Sequence, residues 1–264
     1  MKSGLLNILK GSLAAAVLGS AFSMPAAAAE LADIQAAKSI NIGVLIDFPP
    51  YGILNENNEP DGYDATVAKM LADDLGVELN LIPVTGPNRI PFLLSGQVDI
   101  LVSSLAITPA RAEKVDFSDP YAAIRIGVMA QADLDISSAD DLAGVSVAVA
   151  RASGQDTTIT EIAPAETEIR RFDDDVSAVQ ALLSGQVQAI GASNTVMAQI
   201  RQVAPGRFDE KFTLNQFRLA IAVTPDSPEI LAYANDFLAR VTASGALNEV
   251  HMQWLDEPLP DFND

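Results

Sequence analysis

The chain has 264 residues, 35 of them acidic and 16 basic, which gives a formal net charge of −19 at pH 7. A chain this negative repels nucleic-acid phosphates and anionic lipid, which argues against both as partners. There is no cysteine, so disulfide bonds are excluded. An exported lipoprotein needs a cysteine at its cleavage point to carry the lipid, so that class is excluded as well.

Residues 1–29 have the pattern of a secretory signal peptide. Lys2 and Lys10 give a basic start, residues 11–22 are mostly apolar, and Ala27-Ala28-Ala29 offers small residues for cleavage. The apolar part is shorter than the ~20 residues that a membrane span needs. Cleavage after Ala29 would remove two lysines and no acid. We therefore expect a free, strongly acidic protein of the periplasm, with secretion to the medium as the alternative.

Strand and helix patterns alternate along the rest of the sequence, which is typical of parallel sheets with right-handed crossover helices. Strands are predicted at 40–46, 78–83, 100–103, 125–130, 146–150, 168–172, 189–192 and 219–223. Helices are predicted at 63–75, 90–94, 138–142, 156–161, 176–183, 228–244 and 247–255. In α/β folds of this kind the ligand lies in a crevice at the carboxyl ends of the strands.

One hexapeptide, Leu-Leu-Ser-Gly-Gln-Val, occurs twice, at 93–98 and at 182–187. Each copy has the features of a helix end, a glycine cap and the entry to a buried strand. Chance is the alternative, because these residue types are common. The matching contexts favour two α/β lobes of similar topology.

The segment after the predicted strand 100–103 could bind an anion. Thr108-Pro109 is a good helix start, with Thr as the cap and Pro at the first position. Arg111 then stands in the first turn, where its charge opposes the helix dipole unless an anion is bound there. On these residues alone, a carboxylate seat and an exposed Arg111 paired with Glu113 or Asp116 are equally good interpretations.

Several motifs resemble the family 3 periplasmic solute-binding proteins, which serve ABC transporters for polar amino acids. They occur in the family's order, and the similarity runs from about Ile40 to Trp254. The motifs are Asp47-Phe48-Pro49-Pro50-Tyr51, Asp61-Gly62-Tyr63-Asp64 and the run from Ser103 to Tyr121. The resemblance implies the two-lobed, type II periplasmic-binding-protein fold. We expect one lobe to comprise 30–128 and 222–264 and the other 129–221, with a hinge near 127–130 and 219–223.

The resemblance also implies a ligand site in the cleft between the lobes. The arginine matching Arg111 clamps the ligand α-carboxylate, and Ser153-Gly154 matches a loop that donates to it. Asn88-Arg89-Ile90-Pro91 resembles the glutamate- and aspartate-binding branch, in which the arginine meets anionic groups; a surface arginine is the alternative. The residues implied in ligand binding are Phe48, Arg89, Ser104, Ala106, Arg111, Ser153, Gly154, Ser193 and Asn194.

Two departures from the family pattern affect the expected ligand. Ala106 replaces a threonine whose hydroxyl often holds the ligand. Ser193, beside Asn194, replaces the carboxylate that receives the α-ammonium. No acid occurs between Gln186 and Gln202, so no carboxylate of the second lobe is expected in the site. Residues 173–175 are three aspartates, interpreted as a charge cluster at a helix N-terminus. We therefore expect a ligand of net negative charge and poor binding of cationic amino acids.

The expected function is non-catalytic capture of a carboxylate-bearing ligand for an ABC membrane permease, by a monomer without a cofactor. The lone histidine, His251, is expected to pack rather than to bind metal or catalyse. The alternative is an enzyme similar to cyclohexadienyl dehydratases, which share the family's fold and act on carboxylated rings. That chemistry needs an acid or base, and Asp47 is the only candidate at the edge of the pocket.

Overall fold

The computed structural model describes residues 30–262. The predicted signal peptide and its cleavage site lie outside these residues. The elements in chain order are α1 Leu31–Ala37, β1 Ser39–Leu45, β2 Ile53–Leu54, β3 Pro60–Asp61, α2 Tyr63–Leu75, β4 Glu78–Val84, α3 Arg89–Leu94, β5 Ile100–Ala106, α4 Pro109–Ala112, β6 Asp116–Gln131, a 3-10 helix Asp140–Leu142, β7 Ser146–Ala150, α5 Gly154–Ile162, β8 Glu168–Phe172, α6 Asp175–Leu183, β9 Ala189–Ser193, α7 Asn194–Val203, β10 Phe208–Val223, α8 Pro228–Ala243 and α9 Ala246–Leu255.

The main strands form one continuous series in the order β4-β1-β5-β10-β6-β9-β7-β8. At one end, β1 pairs in parallel with β4 and β5, and at the other end, β7 pairs in parallel with β8 and β9. The long strands β6 and β10 run antiparallel between these groups. The chain is thus α/β, with a largely parallel group of strands and covering helices on each side of two crossing strands. We call the sides the first lobe and the second lobe; their predicted residue boundaries stay a prediction.

The two copies of the repeated hexapeptide have the same structural role. Helices α3 and α6 end just before Ser95 and Ser184, and Gly96 and Gly185 follow with φ of 70° and 75°. Only glycine adopts this left-handed conformation without strain from a Cβ. The chain then enters β5 in the first lobe and β9 in the second, as the repeat predicts.

The predicted elements are found, with three differences. Strands β6 and β10 are each 16 residues long, and the predictions, 125–130 and 219–223, covered only their C-terminal parts. Helix α7 was missed, although Ser193 caps it and Val196, Met197 and Ile200 form its buried face. Helix α1 and the short pair β2–β3 were also missed.

The core explains why these segments form strands and helices. In the first lobe, Ile42 and Ile100 are completely buried beneath α2, and in the second, Val147 and Val149 are buried against α5. Burying one such side chain stabilises the fold by ~1.5–3 kcal/mol. The strand ends that face the cleft are therefore held by a rigid apolar scaffold.

Candidate functional site

A cleft between the lobes encloses about 590 Å³ of space, part of it open to solvent. Both lobes and both crossing strands contribute to its walls. Seven of the nine residues implied by resemblance line it, namely Phe48, Arg89, Ser104, Ala106, Arg111, Ser153 and Gly154. The further charged side chains in its walls are Asp47, Arg151, Asp173, Asp174 and Asp175.

Arg111 connects the lobes across the cleft. Its Nη1 donates to the carbonyl of Ala106 and its Nη2 to that of Ala152 in the second lobe, each at 2.8 Å. Within residues 30–262 it forms no ion pair, so the interpretation as a partner of Glu113 or Asp116 is wrong. Burial, followed by the charge of Arg89, lowers the pKa of Arg111 to about 9. Within the described residues, Arg111 is thus a largely buried cation that no carboxylate neutralises.

The start of α4 is only partly as predicted. Pro109 is the first helical residue and Thr108 precedes it with an extended backbone, but the Thr108 side chain makes no capping hydrogen bond. Nor does any acidic residue stand in the first turn. Nothing in this short helix offsets the charge of Arg111.

Ser153 and Gly154 begin α5 on the opposite wall. The Ser153 hydroxyl accepts a hydrogen bond from the Asp156 N–H at 3.1 Å, so it caps the helix. A Cβ on Gly154 would lie 2.8 Å from the ring of Phe217, which excludes any larger residue without a shift. The close approach of this turn to β10 therefore depends on glycine, and it places the start of α5 in the wall of the cleft.

Arg89 is buried, with only 5% of its surface exposed, so the surface alternative is wrong. Its Nη1 donates to the carbonyl of Ser103 at 2.7 Å. Burial lowers its pKa to about 10, while Asp64, Asp47 and Asp175 favour its charged form. Arg89 therefore faces carboxylates of the protein on both sides of the cleft.

Ser104 is fixed by a buried network on the first-lobe side. Its Oγ donates to Asp64 at 2.7 Å, its N–H donates to the Tyr121 oxygen at 3.0 Å, and the Tyr121 hydroxyl donates to Asp64 at 2.7 Å. Burial raises the pKa of Asp64 to about 7. Ser104 has a φ of 47°, which is strained for a residue with a Cβ. The network holds this conformation at the wall of the cleft.

Phe48 lines the cleft and stacks on Tyr51 with ring centroids 5.3 Å apart. Tyr51 is almost completely buried behind it and meets Tyr63 edge-on. Phe48 therefore presents a rigid apolar surface that a ligand could contact.

Ser193 and Asn194 do not line the cleft. Ser193 is fully buried, and its hydroxyl caps α7 by accepting from the Val196 N–H at 3.2 Å. Asn194 lines a separate groove behind the crossing strands, together with Arg125, Arg201 and His251. His251 is buried and packs edge-on against Tyr63, a packing role as predicted.

The sequence analysis missed the acidic residues of the second lobe. Asp174 and Asp175 lie in the cleft, so the premise that no second-lobe carboxylate reaches the site is wrong. The helix-cap interpretation holds in part, because Asp174 accepts from the Ser177 N–H at 2.6 Å. The missed signal is their position directly after β8, since the carboxyl ends of parallel strands face the ligand crevice.

These acids face one another across the cleft. The pKa of Asp175 is raised to about 7 by burial, then by the charges of Asp47 and Asp174. The pKa of Asp47, in the first lobe, is raised by burial and then by the charge of Asp174. Among residues 30–262 no group of three or more His, Cys, Asp or Glu side chains could hold a metal ion. The same part of the chain contains no helix long and apolar enough to cross a membrane.

The sequence and the fold match known proteins. Residues 40–257 match the bacterial extracellular solute-binding proteins, family 3, and the chain belongs to that family. It is 28% identical to the ABC transporter arginine-binding protein 1 of Escherichia coli (strain K12) over 84% of this chain and 93% of that one. It is 29% identical to the ABC transporter glutamine-binding protein GlnH of Bacillus subtilis (strain 168), over 86% and 85% respectively.

A solved structure shows the same fold. The crystal structure of the ancestral amino acid-binding protein AncCDT-1, a precursor of cyclohexadienyl dehydratase, matches with a TM-score of 0.76 and 29% identity. The match covers 85% of this chain and 98% of that one. The two-lobed α/β architecture predicted from the sequence is confirmed, and an amino-acid-binding role is supported.

Proposed function

We propose that this protein is the periplasmic substrate-binding component of an ABC importer for amino acids. The observation that carries the proposal is Arg111, a cation without an anionic partner in the described structure, whose guanidinium lies between the lobes at the ligand cleft. The family membership and the relatives named above support it. The signal-peptide pattern of residues 1–29 supports export to the periplasm.

The cleft suggests how a carboxylate would be held. A guanidinium fork matches the two oxygens of a carboxylate, and the pair is stronger where water is excluded. Arg111 from the first lobe and the Gly154 N–H from the second would share that carboxylate, since the Ser153 N–H already donates to the Ala150 carbonyl at 3.3 Å. Ligand binding would then stabilise the closed arrangement, and a membrane permease would recognise the closed form of a monomer.

The ligand is a carboxylate-bearing amino acid or a close analogue, without restriction to acidic ones. The expectation of a net negative ligand depended on a second lobe that brings no carboxylate to the cleft. Asp174 and Asp175 remove that premise. In addition, the charges of Asp64, Asp47 and Asp175 already favour the charged form of Arg89, so it has less need of a second anionic group.

One observation favours the alternative, an enzyme similar to cyclohexadienyl dehydratases. Asp47 and Asp175 both have raised pKa values, as an acid catalyst near neutral pH requires, and both line the cleft. Incubation with prephenate tests it, because dehydration and decarboxylation would release phenylpyruvate, water and carbon dioxide. We expect no phenylpyruvate, and its enzymatic formation would replace capture by catalysis.

The capture function is tested by a thermal-shift screen of residues 30–264 against amino acids, dicarboxylates and aromatic acids. A ligand present at 100 times its Kd adds ~2.7 kcal/mol of stability, which is a clear rise in Tm. We expect a stabilising ligand among the amino acids and their close analogues. If none of the carboxylates stabilises the protein, the proposal is wrong.

A further inference from the structure

The cleft has a positive end and a negative end. Arg89 is the charge that acts most strongly on Arg111, while Asp47, Asp64 and Asp175 act on Arg89. Of the two arginines, Arg89 is thus the one whose charge interacts with Asp47 and Asp175, which line the cleft. Asp47 in the first lobe and Asp174 and Asp175 in the second form the negative end.

The acids of the negative end outnumber the cations beside them. Arg151 also lines the cleft, but it pairs with Asp173, at 3.8 Å, and not with Asp47 or Asp175. Arg89 is the cation that favours the charged forms of both Asp47 and Asp175, and it is shared with the buried Asp64. Asp175 accepts one hydrogen bond, from Gln155 at 3.2 Å. Within the described chain, Asp47 accepts no hydrogen bond from another side chain. Two carboxylates from opposite lobes thus repel each other across the site when it is closed without a ligand.

Each end therefore lacks the counter-charge that a dipolar ligand would bring. We propose that the ligand carries, opposite its carboxylate, a cationic group that Asp47 and Asp175 hold between the lobes, so that the ligand class is the ω-amino and ω-guanidino carboxylic acids. The inference rests on the proposed function, because it assumes that the carboxylate binds at Arg111. It replaces the expectation that cationic amino acids bind poorly.

The α-ammonium contributes little to this recognition. Ser193 is a neutral helix cap outside the cleft, and Ala106 offers no hydroxyl group. The backbone oxygen of Ala106 already accepts from Arg111. An ω-guanidino acid without an α-amino group should therefore bind nearly as well as the corresponding amino acid.

Four probes separate these features in calorimetric titrations of residues 30–264: L-arginine, 5-guanidinopentanoate, L-citrulline and L-glutamate. Citrulline has nearly the shape of arginine but a neutral end, and 5-guanidinopentanoate lacks only the α-amino group. We expect arginine and 5-guanidinopentanoate to bind within about tenfold of each other. Citrulline should bind about 10- to 150-fold more weakly than arginine, the range for losing one charge-assisted hydrogen bond.

Variants assign the cationic group to its partners. Asp175→Asn and Asp47→Asn should each weaken the binding of arginine more than the binding of citrulline. The affinity for arginine divided by that for citrulline should therefore fall at least about threefold. Asp175→Asn retains an oxygen for Gln155, which favours an intact fold. Asp209→Asn, an exposed change on β10 of the second lobe, has the same effect on net charge and should leave the ratio unchanged.

The outcomes distinguish this inference from the proposed function. If wild-type protein binds citrulline as well as arginine, or glutamate better than both, the cationic site is overturned while carboxylate capture stands. An arginine-to-citrulline ratio that neither Asp variant lowers also overturns it. If no carboxylate in this panel or in the wider screen binds, both proposals fail together.

Discussion

Strands β5 and β9 follow the two copies of the repeated hexapeptide, yet their carboxyl ends differ. The end of β5 brings Ser104 and Ala106 to the cleft, while β9 ends at Ser193, which is buried and caps α7. The charges that the second lobe brings to the cleft come instead from Asp174 and Asp175 after β8. The shared topology thus fixes where the strands of each lobe end. Whether a strand end contributes to the ligand cleft depends on the side chains at that end.

The largest expected loss of ligand binding comes from a substitution in α4, the helix that follows β5. Arg111→Ala should weaken binding of the ligand by ~2–5 kcal/mol, about 30-fold or more in Kd, because a buried charge pair is lost. Calorimetry on the variant measures this. Lys114→Ala, an exposed change three residues further on, removes one positive charge outside the cleft and serves as the control.

The outcome that contradicts the clamp is an Arg111→Ala affinity within threefold of wild type. A loss of the same size in Lys114→Ala would contradict it too, because the effect would then reflect net charge. Circular dichroism should show that both variants are folded.

Asp175, which follows β8, should make the stability of the unliganded protein depend on pH. The folded-state pKa of Asp175 is about 7 against 3.8 for the free side chain, so burial favours its neutral form. Its contribution to stability is full below about pH 3.8 and is lost as the pH rises to about 7. Asp175→Asn should avoid this loss and be more stable than wild type at pH 7.5, by up to roughly 4 kcal/mol.

Urea unfolding of both proteins at pH 4.5 and pH 7.5 measures the difference. Asp64 also has a raised pKa, but it is present in both proteins and its contribution cancels. The stability gap should widen with pH. A gap that is the same at both pH values, or that narrows, contradicts the raised pKa of the buried Asp175. Asp209→Asn should show no such trend.

Closure itself can be disturbed without touching the charges. A Cβ on Gly86, in the first lobe, would lie 2.7 Å from the backbone oxygen of Arg151 in the second. Gly86→Ala should therefore disfavour the closed arrangement and weaken binding by ~1–3 kcal/mol, the usual cost of overpacking. Gly86 has an ordinary negative or extended φ, so the unliganded fold should keep its Tm. Unchanged affinity would show that the lobes need not approach this closely.

Most main strands, the helix ends and the two-lobed α/β architecture could be predicted from the sequence, because apolar periodicity and glycine caps are local signals. Residues 93–98 and 182–187 illustrate this. The direction of a side chain at a strand end is not local. Ser193 occupies the position expected for a ligand contact, but it satisfies an N–H of α7, a helix that the prediction missed. Asp173 to Asp175 were assigned to helix capping, and only packing shows that two of them also face Asp47.

The smallest expected changes in stability and binding come from substituting two serines that cap helices. Ser153 and Ser193 each accept one N–H at the start of a helix, but only Ser153 lines the cleft. Replacing either by Ala should cost ~1 kcal/mol of stability. Only Ser153→Ala should also weaken ligand binding, measured by calorimetry at matched temperature. Equal binding losses in both variants would contradict the assignment of Ser193 to structure alone.

The most direct test of the account is a crystal structure of residues 30–264 with L-arginine or 5-guanidinopentanoate. We expect the ligand carboxylate on Arg111 and the Gly154 N–H, with the guanidinium between Asp47 and Asp175. A ligand bound in the opposite orientation, or in the groove beside His251 with no ligand in the cleft, would contradict the division of the site into a positive and a negative end.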